Sequence, residues 1–355
     1  MIFQDDNQAS EYIKQNAQLN PLFRKMRENS KELKALVNGE GFIDELLEKI
    51  EHIESDKKAK ARIKYSRSIQ DTFSRIFQPI DNIYYATGGI KDYDISDENL
   101  KKKYISKIAS VRDGKSLSEW VQTKGIQIFN TDPNGLIFLE YKTQPTLDVY
   151  PTYKSINSIR HYESHGQKVE CVLFEPETRD KKTYWRLVDD LTDRTFIQDG
   201  SNFYIVPELS FTHPFGQCPA LVCSNVSNVG DKEKLPAINN IIGLSKEIAR
   251  DQSILTLYKI FKGLPLFWKV VQFCGDCAGT GKTGDEVCGT CNGHGKYVGK
   301  NDVTDVIEVP LPEGEEKLLT GENIGGYLSP ELATWTKLEE TIDKLEEKMY
   351  NSHWG

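Results

Sequence analysis

Residues 274–295 read CGDCAGTGKTGDEVCGTCNGHG. The pattern C-x-x-C-x-G-x-G occurs twice, from Cys274 to Gly281 and again from Cys288 to Gly295. The cysteines are spaced C-x2-C-x10-C-x2-C, which gathers four thiolates in one short loop. That is the donor set and number a tetrahedral zinc ion takes. Each knuckle needs a tight turn with amides aimed at sulfur, and the glycines at 275, 279, 281, 289, 293 and 295 permit such turns, some at positive φ. Cys274, Cys277, Cys288 and Cys291 are therefore expected to hold one structural Zn²⁺ per chain, with every coordination position filled by protein. A loop this short cannot build a core of its own, so a metal would replace one. The plainer readings fit less well: free cysteines do not need this spacing, and a redox C-x-x-C sits between a strand and a helix. His294 lies beside the last knuckle, but four thiolates already fill the shell, and it reads as an exposed loop histidine.

Within the same stretch, GTGKTG resembles part of a phosphate-binding loop. That pattern requires glycine five positions before the Gly281-Lys282-Thr283 triplet, and Asp276 stands there. Nucleotide binding is not expected. Cys218 and Cys223 form C-x4-C around Pro219, and a second metal site there would need further ligands, of which His213 is the nearby one. Cys171 reads as a small apolar residue in a strand. His52, His161 and His165 belong to no recognisable constellation, and no nucleophile elbow, HExxH or paired-carboxylate motif nominates an enzyme.

The chain has 355 residues, 38% hydrophobic and 28% charged, enough for two or three domains. No apolar run approaches the roughly 20 residues needed to span a bilayer, and MIFQDDNQASEY lacks the basic and apolar regions of a secretory signal. The net charge of −8 argues against global affinity for nucleic acid. Seven cysteines, an odd number, four of them in one loop, fit a reducing compartment with one metal site better than a disulfide framework.

Residues 1–115 read as helical. FIDELLEKIEHIE places Ile43, Leu46, Leu47, Ile50 and Ile53 on one stripe, and the helix is expected to continue through Ile63, Ile69, Phe73, Ile76 and Phe77 until Pro79 ends it. Gly88-Gly89 marks a turn. Lys57, Lys58, Lys60, Arg62, Lys64 and Arg67 form a basic cluster, read either as a solvated helix face or as a contact for phosphates or an acidic neighbouring subunit. The period changes over 125–225. GIQIFNTDPNGLIFLEYK reads as a hairpin turning at Asp132, Pro133, Asn134 and Gly135, and VYPTYKSINSIRHYE, KVECVLFE, KTYWRLVDD and NFYIVPEL supply further short strands of an antiparallel unit. Helix returns over 235–262, with Pro236 in its first turn. Residues 263–328 hold LPLFWKVV, the cysteine loop and a short strand bounded by Pro310 and Pro312. Residues 329–355 carry a strong helix signal: Ser329, Pro330 and Glu331 suit the start, and Leu332, Trp335, Leu338, Ile342, Leu345 and Met349 step by three or four. Glu339, Glu340, Asp343, Glu346 and Glu347 occupy the other face, interspersed with Lys337, Lys344 and Lys348.

The repeated C-x-x-C-x-G-x-G resembles half of the zinc region of DnaJ-type chaperones, which carry four such units and an HPD loop. This chain has two units and no HPD, so that resemblance covers residues 274–295 and supports zinc alone. Over most of its length the chain resembles the portal proteins of tailed bacteriophages. PNGLIFLEY is similar to a wing-domain hairpin, and VYPTYKSINSIRHYE with VECVLFE to wing strands. FTHPFGQCPALVCSNVSNVGDKEKLPAINNIIGLSKEIARDQSI resembles the passage from a G-x-x-P strand into the first stem helix. YLSPELATWTKLEETIDKLEEKMYNSHWG resembles the second stem helix, which returns after a small clip.

The resemblance implies an α+β, portal-like fold. Its parts would be a helical N-terminal part of the wing (1–115), a β-rich wing (116–234), a first stem helix (235–262), a zinc-containing clip (263–328) and a second stem helix (329–355). Family members continue into a tunnel loop, a long helix and a crown, so the resemblance also implies a C-terminally truncated chain. It implies a non-enzymatic ring, usually a dodecamer, at one capsid vertex of the virion, assembled in the host cytoplasm with capsid and scaffold proteins. Double-stranded DNA passes through such a ring non-specifically; the terminase large subunit, and later head–tail adaptors, dock on the clip; no membrane is involved. Lys337, Lys344 and Lys348 are the candidates for transient contacts with DNA in the channel, and ordinary pairing within the helix is the alternative. The other functional readings are a zinc-binding chaperone-like or adaptor protein and, last, a metal-dependent nucleic-acid enzyme.

Overall fold

The computed structural model describes residues 2–49, 56–85, 93–142, 148–228, 232–262, 266–271, 274–295, 307–310, 325–328 and 332–354. The chain is α+β. Its helices are α1 (Asp6–Asn16), α2 (Pro21–Asn38), α3 (Asp56–Tyr65), α4 (Gln70–Tyr85), α5 (Glu98–Ala109), α6 (Leu117–Trp120), α7 (Ile126–Thr131), α8 (Ile242–Lys262) and α9 (Leu332–Trp354). The larger antiparallel sheet is built from β1 (Leu136–Lys142), β2 (Asp148–Lys154), β3 (Ile159–His165), β4 (Lys168–Phe174), β5 (Glu177–Arg179), β6 (Lys182–Val188), β7 (Thr192–Asp199), β8 (Asn202–Ile205), β9 (Phe211–Thr212) and β10 (Ala220–Val222). Further along lie β11 (Leu266–Val271), β12 (Lys282–Thr283), β13 (Glu286–Val287), β14 (Ile307–Pro310) and β15 (Gly325–Leu328). Among the described residues no helix is long and apolar enough to cross a membrane.

Two compact units divide the chain. One comprises Met1–Ile53, Arg67–Arg250 and Leu345–Gly355, and the other Glu54–Ser66 and Asp251–Lys344. In the first, the sheet runs β2-β1-β10-β4-β6-β7-β8, with β3 on β4, β5 on β6 and β9 on β7. Strand alternation sends successive side chains to opposite faces. Along β4, Val172 and Phe174 enter a core closed by Phe23 and Met26 of α2, whereas Cys171 and Leu173 enter a second core closed by Ala9 and Ile13 of α1. Burial on both faces explains why KVECVLF reads as an almost unbroken apolar run. Cys171 packs there as expected, with its thiol 3.3 Å from the Tyr12 hydroxyl. In the second unit, β11 pairs in parallel with β14 (Trp268 opposite Ile307) and antiparallel with β15 (Leu266 opposite Leu328). The strand expected at LPLFWKVV is therefore present, and the short strand expected at the two prolines is β14, which includes Pro310, while Pro312 lies outside the described residues.

Helical expectations need correction in four places. FIDEL is a π-helical turn and LEK a 3₁₀ turn, burying Phe42, Leu46 and Leu47; Ile50 and Ile53 lie outside the described residues. Positive φ at Gly39 and Gly41 re-aims the chain just ahead of this segment. The expected continuous helix is two helices, α3 and α4, separated at 66–69. Pro79 does not end α4, which runs on to Tyr85. Proline removes the N–H that the Arg75 carbonyl would accept from, but Phe73 and Ile76 are buried ahead of it, and the neighbouring Ile76 carbonyl accepts from the Trp354 indole N–H at 2.9 Å. The last helical correction concerns 235–238, which is not helical. Pro236 instead precedes a 3₁₀ turn (Asn239–Ile241) that leads into α8. Backbone groups of this segment are already committed elsewhere: Leu235 donates to the Val226 carbonyl, and the Asn134 side chain holds both the N–H and the carbonyl of Lys234.

In the expected hairpin, the turn and second arm are correct, but the first arm, 126–131, is α7. Strand propensity loses there to packing on α2, with Ile128 buried and the Ser30 hydroxyl donating to the Thr131 carbonyl at 3.1 Å. Gly88-Gly89 and the Ser329-Pro330-Glu331 start signal lie outside the described residues.

Candidate metal centre

All four loop cysteines are buried: Cys274 is 0%, Cys277 5%, Cys288 1% and Cys291 5% exposed. Their sulfurs lie within 4.8 Å of one another, with Cys274 Sγ 3.9 Å from Cys288 Sγ and Cys277 Sγ 3.6 Å from Cys291 Sγ. A tetrahedral ion with metal–sulfur bonds of about 2.3 Å requires sulfurs about 3.8 Å apart. The donor set therefore fits a closed tetrathiolate site.

The two halves are built alike. Amides of Gly281 and Gly295 donate to Cys277 Sγ and Cys291 Sγ at 3.3 and 3.2 Å. Amides of Asp276 and Cys277 face Cys274 Sγ, and those of Thr290 and Cys291 face Cys288 Sγ. Across the halves, Cys274 N–H donates to the Gly295 carbonyl and Cys288 N–H to the Gly281 carbonyl, both at 3.0 Å. Positive φ recurs at matching positions: Ala278 and Asn292, Gly279 and Gly293, Gly281 and Gly295. A Cβ on Gly281 would sit 2.3 Å from the Gly293 carbonyl oxygen, and one on Gly295 would sit 2.3 Å from that of Gly279. Gly275 and Gly289 have open space and ordinary φ, so the second and third glycines of each half make the knuckle and the first does not.

Electrostatics divide the sulfurs. Amide donors, led by Cys291 N–H, hold the Cys288 thiol down to about 6, while burial pushes Cys274 up to about 11. A bound divalent cation removes that burial cost, because metal ligation favours the thiolate outright.

The GTGKTG segment folds as a small hairpin, with β12 paired to β13 and Gly284 at φ +70 in the turn. His294 is exposed and joins the centre only through its backbone. Cys218 and Cys223 are buried in the larger unit, and His213 Nε2 lies 2.9 Å from the Asp189 carbonyl oxygen. Among the described residues, the only metal-competent cluster is the four loop cysteines.

The basic cluster near α3 is not uniformly solvated. Lys60, Lys64 and Arg67 are exposed, but Arg62 is buried with its guanidinium 2.7 Å from the Ser253 hydroxyl. On α9, Lys337, Lys344 and Lys348 are exposed, and Ile342 and Met349 are buried. Two of the acidic residues are engaged: Glu339 pairs with Lys259 at 3.1 Å, and Glu346 with Arg75 at 3.3 Å.

One polar cluster escaped the sequence reading. Arg186 bridges Asp193 and Glu140 while lying over the rings of Phe138 and Phe174, and Lys154 shares Glu140 at 2.5 Å. Its members come from β1, β2, β6 and β7, strands that are distant in sequence and, between β1 and β6, not neighbours in the sheet.

The chain matches no model of a known protein family and no curated protein.

Proposed function

We propose that this chain is a portal subunit of a tailed bacteriophage: one member of a homo-oligomeric ring, in family terms a dodecamer, at the capsid vertex. Double-stranded DNA passes through its channel during packaging and ejection. The terminase large subunit and later the head–tail adaptors dock on residues 263–328, the clip. No catalytic step belongs to the chain in this reading; the ring acts by positioning partners and leaving DNA free to move.

The observation that carries the proposal is the pairing of α8 with α9. Asn240 Nδ2 meets the Ser352 carbonyl, Ser245 Oγ lies 3.5 Å from Met349 Sδ, Tyr258 stacks edge-on to Trp335, and Lys259 pairs with Glu339. Contacts that climb α8 descend α9, as expected of antiparallel stem helices on either side of a small domain. Between them in sequence lie β11, the cysteine loop, β14 and β15. Exposed Lys337, Lys344 and Lys348 on α9 suit weak contacts with DNA, since few captured phosphates mean little affinity to overcome.

Cys274, Cys277, Cys288 and Cys291 hold one structural Zn²⁺ in this reading. Bound zinc supplies folding energy, on the order of 10–16 kcal/mol in small peptides, to a loop whose buried apolar cluster consists of those four cysteines.

Electron microscopy of the purified protein tests the ring. Rings with a central channel are expected. Monomers that suppress aggregation of a client polypeptide would replace the portal reading with that of a zinc-binding chaperone-like or adaptor protein, which the duplicated C-x-x-C-x-G-x-G halves favour.

A further inference from the structure

Side chains along β6 alternate between the two cores of the larger sheet. Trp185 and Leu187 enter the core closed by α1, and Val188 enters the one closed by α2. Tyr184 and Arg186 therefore share the α2 side with Val188, and Thr195 and Asp193 of β7 stand opposite Arg186 and Val188. Phe174 belongs to that core and also lines a cavity of about 430 Å³, within the roughly 300–1,000 Å³ typical of small-ligand sites. Pro176, Tyr184, Leu209 and Phe211 continue its apolar wall, and Leu209 and Phe211 are 46% and 43% exposed at the rim.

The carboxylates on this cavity are already engaged. Glu175 takes both Arg27 and Arg160, and Glu177 pairs with Arg179. Asp193 is 2% exposed; it meets Arg186 at 2.7 Å and accepts from the Tyr141 hydroxyl at 3.2 Å. Glu140 is shared by Lys154 and Arg186 at 2.5 and 3.2 Å. The cluster thus sets five cations against four carboxylates. Arg186 is fixed further by lying 5.2 and 5.3 Å from the Phe138 and Phe174 ring centroids. Lys154 lines the cavity, its side chain is 26% exposed, and Glu140 is its one carboxylate among the described residues. An ammonium carries three donors, so the spare capacity facing the cavity is cationic and donating.

We propose that this cavity binds a small aromatic anion, with its ring against Phe211, Tyr184 and the Arg186 guanidinium and its anionic group on Lys154. The apolar wall selects the ring, and the unmatched cation selects the charge. All of these residues lie in one unit of one chain, so occupancy is independent of ring assembly.

Two fluorescent dyes test it on the full chain: anilinonaphthalene sulfonate, an aromatic anion, and phenylnaphthylamine, the same rings without the sulfonate. Far-UV circular dichroism checks folding. Wild type is expected to bind the sulfonate saturably, at about one dye per chain. Phe211→Ala is expected to weaken both dyes about tenfold, because both lose the same ring contact. Lys154→Gln is expected to weaken the sulfonate about tenfold and the uncharged dye less than about twofold. Should Lys154→Gln unfold the chain, the exposed rim answers the same question: Leu209→Glu is expected to weaken the sulfonate about tenfold more than Leu209→Gln does, with no such gap for the uncharged dye. Sulfonate binding untouched by Phe211→Ala would put the dye elsewhere and overturn the site. Equal losses of both dyes on Lys154→Gln, or no gap between the two Leu209 variants, would overturn the anionic class. Wild type that binds neither dye would overturn the proposal outright.

Discussion

Single atoms decide whether the cysteine loop can close. At Gly281 and Gly295 a methyl group would occupy carbonyl positions of the opposite half, and the positive φ alone costs alanine about 1–2 kcal/mol. Gly281→Ala or Gly295→Ala is therefore expected to weaken metal binding about tenfold or more, measured by competition with a chromophoric chelator. Gly275→Ala, in open space, should stay within about 0.5 kcal/mol of wild type. Glu140 makes the second prediction at this scale. Burial would raise its pKa, but Arg186 and Lys154 beside it override burial and hold the carboxyl below its usual value. A carboxylate with a lowered folded pKa stabilises the fold above the unfolded value, and that contribution is lost as pH falls through the folded one. Glu140→Gln is expected to cost roughly 1–3 kcal/mol at neutral pH, because two cations lose their shared anion. In urea titrations the gap to wild type should narrow below about pH 4.

Elements were legible wherever periodicity and burial agree. β4 and α9 carry their patterns openly, since both faces of one and one stripe of the other are apolar. The same logic failed at 126–131, where β-branched residues suggest a strand and packing on α2 makes a helix. It failed again at Pro79, because one carbonyl orphaned by proline is tolerated in a helix held by the burial of Phe73 and Ile76. The four-cysteine cluster was readable to the residue, because ligand spacing is a local property. Arg186, Glu140, Asp193 and Lys154 were not, because they come from strands far apart in the chain, and β10 and β4 stand between β1 and β6 in the sheet. Cys288→Ser belongs to this scale: it should abolish stoichiometric zinc and unfold 274–295, while the sheet keeps its unfolding transition. Limited proteolysis with mass spectrometry checks this; new cuts confined to the loop are expected, and cuts spread through 136–222 would contradict separate stabilisation.

At the scale of the whole molecule, the sheet-bearing unit holds its own two cores, and the other unit holds the cysteine loop and the three-stranded sheet. In the portal reading we propose, ring assembly and partner docking would be arranged by α8 and α9, which flank β11, the cysteine loop, β14 and β15 in sequence. The stability of this second unit, in this reading, depends on metal rather than on apolar burial. X-ray absorption at the zinc edge on protein purified under reducing conditions measures this directly. One zinc per chain with four sulfur neighbours at about 2.3 Å is the expected result. Protein without stoichiometric metal, or a shell containing nitrogen or oxygen, would contradict it.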